Sequence, residues 1–252
     1  MSKKAIVLAS YGSMNLESYE ETYEKIKRKY EEKFPDYEIY STYNSKRIIA
    51  KMKRVHEISL IDLETQLKNL IAENYEEVYI QPIYITYGTE YSKLLDIFKE
   101  YEEKFLKINI GEPLLSKLED YNHLVDIMNR RFSNENKCYL FIGHGTKDRN
   151  VASYGMLAYK LMLKSDNYFT ITIEDGIDFK EVEEKILDNF REVAIVPLMI
   201  VSGHHFNRDI LEKIIPNLCE KGILADREVD NLLEIQGIAE IFMDHTKSIM
   251  IM

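Results

Sequence analysis

Short apolar runs alternate along this chain with charged segments of helical periodicity, and this alternation restricts the fold more than any other feature. The apolar runs lie at 5–10, 37–43, 78–86, 138–143, 168–175 and 193–202. Helices are predicted up to about residue 34 and near 57–74, 91–104, 119–132, 151–164, 178–190 and 206–219. Strands that are apolar on both faces and separated by helices are typical of parallel sheets covered on both sides. The sequence therefore predicts an α/β fold.

The order of these runs repeats in the second half of the chain. EVYIQPIYITYG (77–88) and EVAIVPLMIVSG (192–203) match at Glu, Val, Ile, Pro, Ile and Gly at a constant offset. AIVLASYGS aligns with CYLFIGHGT when Gly12 is placed on Gly145, and YEIYSTY pairs more loosely with YFTITIE. We predict two similar Rossmann-like or flavodoxin-like halves, each a parallel sheet flanked by helices, with a cleft between them. The predicted domains are 1–118 and 119–252, with the option that the terminal helix packs back on the first half.

The charge balance and the cysteine count argue against several classes of protein. The formal net charge is −10, whereas general nucleic-acid binders carry a basic field. The two cysteines, Cys138 and Cys219, have no CxxC spacing, so neither a zinc site nor a disulfide framework is expected. No apolar run approaches the roughly 20 residues that a membrane span needs, and MSKKAIVLASYGS lacks the pattern of a signal peptide. We expect a cytoplasmic protein that binds neither nucleic acid nor membrane.

Reactive side chains follow the predicted strands in both halves. Ligands of open parallel sheets bind outside the carboxyl ends of the strands. In the first half these positions hold Ser10-Tyr11, Tyr43-Asn44 and Thr89-Glu90. In the second half they hold His144, Glu174-Asp175 and His204-His205. A His/Glu/His set from three strands has no sequence spacing to test, so these residues are candidates for a shared site without forming a specific motif.

The histidines and the carboxylates suit metal binding and proton transfer. Imidazole and carboxylate are the ligands of divalent cobalt, nickel, iron and zinc, and imidazole also accepts protons near neutral pH. His144 is favoured because the glycines of GHGT let a ligand or backbone come close. Neighbours after a strand point in different directions, so at most one of His204 and His205 is expected to face the site. Glu174 is equally compatible with an ordinary solvated turn, since Asp175-Gly176 follows it.

At these residues the chain resembles the class II tetrapyrrole chelatases, and most closely the CbiK-type sirohydrochlorin cobaltochelatases. The likeness covers nearly the whole chain, in ASYGS (9–13), NSKRII (44–49), IQPIYITYGTEY (80–91), GEPLL (111–115), GHGT (143–146), VPLMIVSGHH (196–205) and GIAEIFMDH (237–245). The resemblance implies a two-domain fold and insertion of Co²⁺ into sirohydrochlorin, or its precorrin-2 form, in anaerobic cobalamin biosynthesis. No organic cofactor is expected, because the metal is a substrate.

The resemblance also implies roles for individual residues. The family's metal-binding histidines and glutamate match His144, Glu174 and His205, and His144 is also the expected proton acceptor. Glu90 matches an acidic residue of the family, and with Ser10 and Tyr11 it is expected to contact the tetrapyrrole. The chain departs from the family in two places, since His204 stands where the family usually has Asp and Tyr84 where it often has His.

Other functions stay open at this point. Insertion of Fe²⁺ or Ni²⁺ into the same ring is the main alternative, because raw ligand affinity favours nickel over cobalt and iron. A non-catalytic carrier of metal or tetrapyrrole would need the same cluster without turnover. A nucleotide-binding α/β protein is disfavoured, since GHGTKD and ASYGSM lack the glycine pattern of phosphate loops. The sequence is also compatible with a homo-oligomer.

Overall fold

The computed structural model describes residues 3–145, 150–201, 203 and 208–251. His204, His205 and Thr146 lie outside these described residues. The chain forms two compact units, of which the first contains residues up to 116 together with those from 239 onward, and the second contains residues 117–238. The division predicted from sequence lay between 118 and 119. None of the described helices has the length and the hydropathy that crossing a membrane requires.

The first unit contains a four-stranded parallel sheet. Its strands are β1 (Lys3–Ser10), β2 (Glu38–Tyr43), β3 (Tyr75–Pro82) and β4 (Lys107–Ile110), and their order across the sheet is β2-β1-β3-β4. Ser10 pairs with Tyr43, and Ala9 pairs with Pro82. The carboxyl ends of the three longer strands therefore meet at one edge of the sheet.

Helices cover both faces of this sheet. Segments Leu16–Ser18, Tyr19–Glu24 and Lys25–Lys33 form α1, and they are followed by α2 (Lys46–His56), α3 (Leu63–Ala72) and α4 (Thr89–Tyr101). A last helix, α9 (Ile238–Met250), returns to this unit from the end of the chain. Its Thr246 hydroxyl is hydrogen-bonded to the Tyr30 hydroxyl of α1 at 3.0 Å. The carbonyl of Ile249 accepts a 2.7 Å hydrogen bond from the Asn109 side chain, so α9 is also bonded to β4, the last strand of this unit.

The second unit repeats the same topology. Strands β5 (Cys138–Gly143), β6 (Tyr168–Thr172), β7 (Glu192–Leu198) and β8 (Leu224–Arg227) form a parallel sheet in the order β6-β5-β7-β8. The helices of this unit are α5 (Leu118–Arg131), α6 (Val151–Lys164), α7 (Lys180–Asn189) and α8 (Ile210–Ile214 with Ile215–Glu220), and Leu232–Glu234 form a short 3₁₀ turn. The predicted α/β fold with two similar halves is confirmed.

The central strands explain why the repeat is visible in the sequence. Residues Ala5 to Ala9 of β1 are all buried, and the side chains of Ala5, Val7 and Ala9 share one apolar cluster with Leu67 of α3. In β5, Cys138, Leu140 and Ile142 pack in a cluster with residues of α7 and α8, while Tyr139 and Phe141 face Phe132 at the end of α5. Because both faces of these strands are buried, their sequences are continuously apolar and do not alternate between polar and apolar residues, as is typical of parallel sheets.

Some elements differ from the prediction. The helix predicted at 57–74 is shorter, because α3 begins only at Leu63, where the Asp62 side chain accepts a hydrogen bond from the Thr65 N–H. Helix α2 was not predicted, and it ends at Glu57, which adopts a left-handed conformation (φ 59°). The edge strands β4 and β8 were not predicted, since both are four residues long and partly exposed. Strands β3 and β7 end earlier than predicted because the apolar residues Ile83 and Ile200 stay buried after the strands end, and β6 ends at Thr172 before the exposed Glu174.

Candidate functional site

The loops after β5 and β6 bring two of the predicted metal ligands side by side. Beyond the last strand pair, the Ile173 N–H donates to the Gly143 carbonyl at 3.0 Å and the Glu174 N–H donates to the His144 carbonyl at 2.8 Å. These two hydrogen bonds continue the strand pairing past Thr172. The backbone therefore fixes the separation of His144 and Glu174, although the two residues are thirty positions apart in the sequence.

The side chains of this pair are open to solvent and close together. His144 Nδ1 lies 3.8 Å from Glu174 Oε2, and both side chains are about half exposed, at 53% and 52%. Nδ1 also lies 3.3 Å from the carbonyl oxygen of Gly145. The tautomer that donates from Nδ1 keeps a lone pair on Nε2, and this form can bind a metal ion or accept a proton. The pair therefore presents one imidazole nitrogen and one carboxylate at neighbouring positions that are open to solvent.

A buried tyrosine holds the turn that carries His144. The Tyr154 hydroxyl of α6 accepts hydrogen bonds from the backbone N–H groups of His144 and Gly145. Its ring lies where a side chain at Gly143 would project, so a methyl group there would collide with it. Burial raises the pKa of Tyr154 to about 12, so the phenol is neutral at physiological pH. Sequence reasoning missed this residue, and the only signal for it was the small residue at 143.

Gly145 allows the two loops to touch. Its φ is +83°, and an added Cβ would lie 2.6 Å from the carbonyl oxygen of Asp175. On the other loop, the Thr172 hydroxyl accepts a 2.9 Å hydrogen bond from the Ile177 N–H. The turn at 174–176 therefore packs directly against the turn at 144–145, and a side chain at 145 would push them apart.

A pocket of about 660 Å³ opens beside Glu174 within the second unit. Its polar lining comprises Thr172, Glu174, Asp175, Asp178, Asp209 and Lys213. Lys213 Nζ lies 2.6 Å from Asp209 Oδ1, so the one cationic side chain of this lining is paired with one of the carboxylates. The remaining carboxylates give the pocket a negative potential, which favours the approach of a cation.

The carboxyl edge of the first unit holds the predicted substrate-binding residues. Ser10 is buried, and its hydroxyl donates to the Thr42 carbonyl at 3.4 Å, while the Tyr11 side chain is 49% exposed. Glu90 lies in the first turn of α4 and pairs with Lys93 at 2.5 Å. Near this edge the Tyr84 hydroxyl is buried without a hydrogen-bond partner among the described residues, and burial raises its pKa.

This edge has its own counterpart of the turn after β5. Gly12 and Gly145 both have a positive φ, of +98° and +83°. The Tyr23 hydroxyl of α1 accepts a hydrogen bond from the Gly12 N–H, as Tyr154 does at Gly145. Both units therefore use a tyrosine from the following helix to hold a glycine turn after the first strand. Only the second unit places a histidine in that turn.

The predicted metal site is represented by two of its three ligands. His144 and Glu174 are together, whereas His205 lies outside the described residues. Over the described ranges no group of three or more His, Cys, Asp or Glu residues is placed to hold a metal ion. Of the other histidines, His123 is exposed on α5, and His245 is buried in α9 with Nδ1 3.1 Å from the Glu112 carbonyl.

Comparison with protein families gives one match over nearly the whole chain. A family model described as cobalt chelatase (CbiK) matches residues 4–251. Sirohydrochlorin cobaltochelatase of Salmonella typhimurium is 27% identical to the chain over 219 residues, which cover 82% of the chain and 80% of that protein.

Solved structures share the fold at low sequence identity. A sirohydrochlorin chelatase, SirB from Bacillus subtilis subspecies spizizenii in complex with cobalt, is similar with a TM-score of 0.69 and 12% identity, covering 98% of this chain and 95% of that one. SirB from Bacillus subtilis with Fe³⁺ has a TM-score of 0.70 and 14% identity over the same shares. CbiX, the terminal enzyme for siroheme biosynthesis in denitrifying bacteria, has a TM-score of 0.59 and 10% identity, covering 98% of this chain and 99% of that one. At these identities the likeness concerns the fold.

Proposed function

The chain belongs to the cobalt chelatase (CbiK) family, and on this premise we propose that it inserts Co²⁺ into sirohydrochlorin at the carboxyl edge of its second sheet. The observation that carries the proposal is the pair formed by His144 and Glu174, whose side chains are 3.8 Å apart and open to solvent. A relative whose name states this activity is 27% identical to the chain. The proposed third ligand is His205.

The ligand types fit a metal that must be released again. Imidazole and carboxylate bind Co²⁺ firmly enough to remove it from water, whereas a closed site of thiolates would retain it. The exposed positions of His144 and Glu174 leave room for a large planar ring to approach the bound ion. The carboxylates of the neighbouring pocket raise the local concentration of cations.

Insertion exchanges one metal ion for two protons of the ring. The two pyrrole N–H groups must each lose a proton as their nitrogens bind the ion. We assign one of these protons to Nε2 of His144, which becomes available as the ion leaves it for the ring. A lone pair cannot hold metal and proton at once, so metal release and proton uptake are coupled at this nitrogen. Glu174 accepts the second proton or passes it to water.

The hydrogen bonds around the pair support this sequence of events. The Tyr154 hydroxyl and the Glu174 N–H fix the backbone of His144 from two sides. The imidazole therefore stays in place when Nε2 exchanges the metal ion for a proton, which limits the reorganisation needed while the ion moves to the ring. Tyr11 and Glu90 are proposed to contact the tetrapyrrole, whereas Ser10, predicted to do so, is buried and its hydroxyl donates to the Thr42 carbonyl.

The test follows the absorption spectrum of the ring. Purified protein is mixed with sirohydrochlorin and Co²⁺, Fe²⁺ or Ni²⁺, and the initial rates are compared with the uncatalysed reaction. We expect Co²⁺ to give the highest kcat/KM, and His144→Ala, Glu174→Gln and His205→Ala to lower it by about 100-fold or more, as loss of a proton acceptor does. His123→Ala, which removes an exposed histidine from α5, is the matched control and should leave the rate unchanged.

Each alternative has its own outcome in this assay. A faster rate with Fe²⁺ or Ni²⁺ would identify that ion as the preferred metal instead of cobalt and would leave the proposed roles of the residues unchanged. Stoichiometric binding of metal or ring without turnover would identify a carrier. His204→Ala should be much milder than His205→Ala, and equal losses would reject the choice of His205 as ligand.

A further inference from the structure

Helix α6 has an apolar outer face as well as an apolar inner face. Its inner face is formed by Tyr154, Leu157 and Leu161, which are buried against the second sheet. On the outer face, Met156, Tyr159, Met162 and Leu163 are exposed by 44%, 55%, 54% and 65%. A helix at the surface of a protein normally places polar residues on its outer face. This helix therefore has a second face that lacks a partner within the described residues.

The neighbouring helix α5 extends this face and defines its border. Lys160 Nζ donates to Asn122 Oδ1 at 2.6 Å, and Lys164 Nζ pairs with Asp126 at 2.8 Å. The constant offset shows that α5 and α6 run parallel, which places Leu118, 58% exposed, level with Met156. We define the α6 patch as Leu118, Met156, Tyr159, Met162 and Leu163. The two polar pairs form its rim on the α5 side.

The size of the α6 patch is sufficient for a protein interface. Its five side chains expose on the order of 500 Å² of apolar surface, which is near the upper end for the largest patch on a monomer. Two such patches placed together would remove about 1,000 Å² from water, which is the lower bound for a specific association. Large exposed hydrophobic residues elsewhere in the described chain, such as Leu106 and Leu224, stand far from the patch in sequence and on other elements.

The patch is complementary to itself. Gly155 lies on the same outer face, one turn before Tyr159, and the space where its Cβ would project holds no atom within 4 Å. Leu163 lies one turn after Tyr159. When two α6 helices pack antiparallel about a two-fold axis at Tyr159, Leu163 of each copy faces the recess at Gly155 of the other. A large side chain opposite a small one is the arrangement that lets helices interdigitate.

We propose that the α6 patch is a dimer interface, with a second copy of this chain as its occupant. The interface is isologous, so the same residues of both copies meet around one axis and the assembly closes at two. The buried area is at the lower bound for specific association, which is typical of weak and reversible complexes. The patch lies on the face of α6 opposite to Tyr154, so dimerisation leaves the turn at His144 accessible.

The mass of the full chain in solution tests this proposal. Sedimentation velocity from about 1 to 100 μM should show a shift from 29.7 kDa to twice that mass. Leu163→Glu should weaken the association at least about 100-fold, since a carboxylate would be buried in the interface. Leu106→Glu is the matched control, because Leu106 is 82% exposed but lies outside the patch. Circular dichroism of each variant establishes that it is folded.

Several outcomes would overturn the proposal. These are a monomer at every concentration, a trimer or larger assembly, or a dimer that Leu163→Glu leaves intact. An independent measurement is oxidation of Tyr159→Cys in a Cys219→Ser background. A residue at the axis should form a disulfide with its own copy, and failure to cross-link at dimer concentrations would reject the antiparallel geometry.

Discussion

Replacing Gly145 by alanine is expected to loosen the candidate metal site and to destabilise the protein by a calculable amount. The substitution is unfavourable for two reasons. The backbone at 145 has a φ of +83°, and the new Cβ would lie 2.6 Å from the carbonyl oxygen of Asp175. The left-handed conformation costs a non-glycine residue about 1–2 kcal/mol. Relieving the contact moves backbone, which adds roughly 1–3 kcal/mol as in other overpacked sites. We expect a loss of about 2–5 kcal/mol in the free energy of unfolding.

Two other glycines separate these contributions. Gly222 has a similar φ of +81° but no atom within 4 Å of the new Cβ, so Gly222→Ala should cost only the conformational part, about 1–2 kcal/mol. Gly155 lies inside α6 with an ordinary φ and open space, so Gly155→Ala should stabilise the protein by about 0.5–1 kcal/mol. The same chemical change thus has three predicted effects at three positions.

Urea unfolding monitored by circular dichroism measures all three variants, at a protein concentration of about 1 μM. Cobalt binding by Gly145→Ala should also weaken, because moving Asp175 separates His144 from Glu174, whereas Gly222→Ala should bind as the parent does. If Gly145→Ala were no less stable than Gly222→Ala, the close packing of the two loops would be refuted.

Three further predictions concern buried side chains. Tyr154→Phe removes the acceptor of two backbone N–H groups, so it should lower the free energy of unfolding by about 1–3 kcal/mol and weaken cobalt binding. The control Tyr159→Phe, on the outer face of α6, should change the free energy of unfolding by less than about 0.5 kcal/mol. Equal effects of the two variants in urea unfolding would contradict the role of Tyr154. Burial raises the pKa of Tyr19, Tyr91, Tyr154 and Tyr168 to about 12, so the contribution of these four phenols to stability should be constant below pH ~10, the ordinary pKa of tyrosine, and should be lost as pH rises towards 12. A titration at 295 nm in which these phenols ionised near pH 10 in the folded protein would contradict it. A thiol reagent should modify only Cys219 in the native protein and both cysteines in urea, since Cys138 is buried and burial raises its pKa. Rapid labelling of both cysteines in the native protein would be inconsistent with the packing of β5.

The parts of the fold that were predictable are those in which burial is uniform. β1 and β5 are apolar throughout because both of their faces are covered, and the match between 77–88 and 192–203 reflects the shared topology of the two units. β4 and β8 escaped prediction because they are four residues long and mostly outside the core, whereas the other two edge strands, β2 and β6, are longer and more buried. The helix predicted from residue 57 begins only at Leu63, because α2 ends at the left-handed Glu57, a residue type with no preference for that conformation.

The same distinction applies to the candidate site. His144 and Glu174 were predictable because the ends of parallel strands converge, so their position followed from the strand pattern alone. Tyr154 was not predictable, since one tyrosine among 18 gives no indication that its hydroxyl reaches a turn nine residues earlier. Its contact depends on how α6 packs on β5, which only the three-dimensional structure supplies.

The return of α9 to the first unit affects the order in which the two halves can be completed during synthesis. Residues 117–238 are contiguous, so the second half has all of its parts once residue 238 has left the ribosome. The first half must wait for α9, because Tyr30 and Asn109 have their partners Thr246 and Ile249 there. The half that is translated first is therefore the half that is finished last, and until then part of its apolar surface stays uncovered.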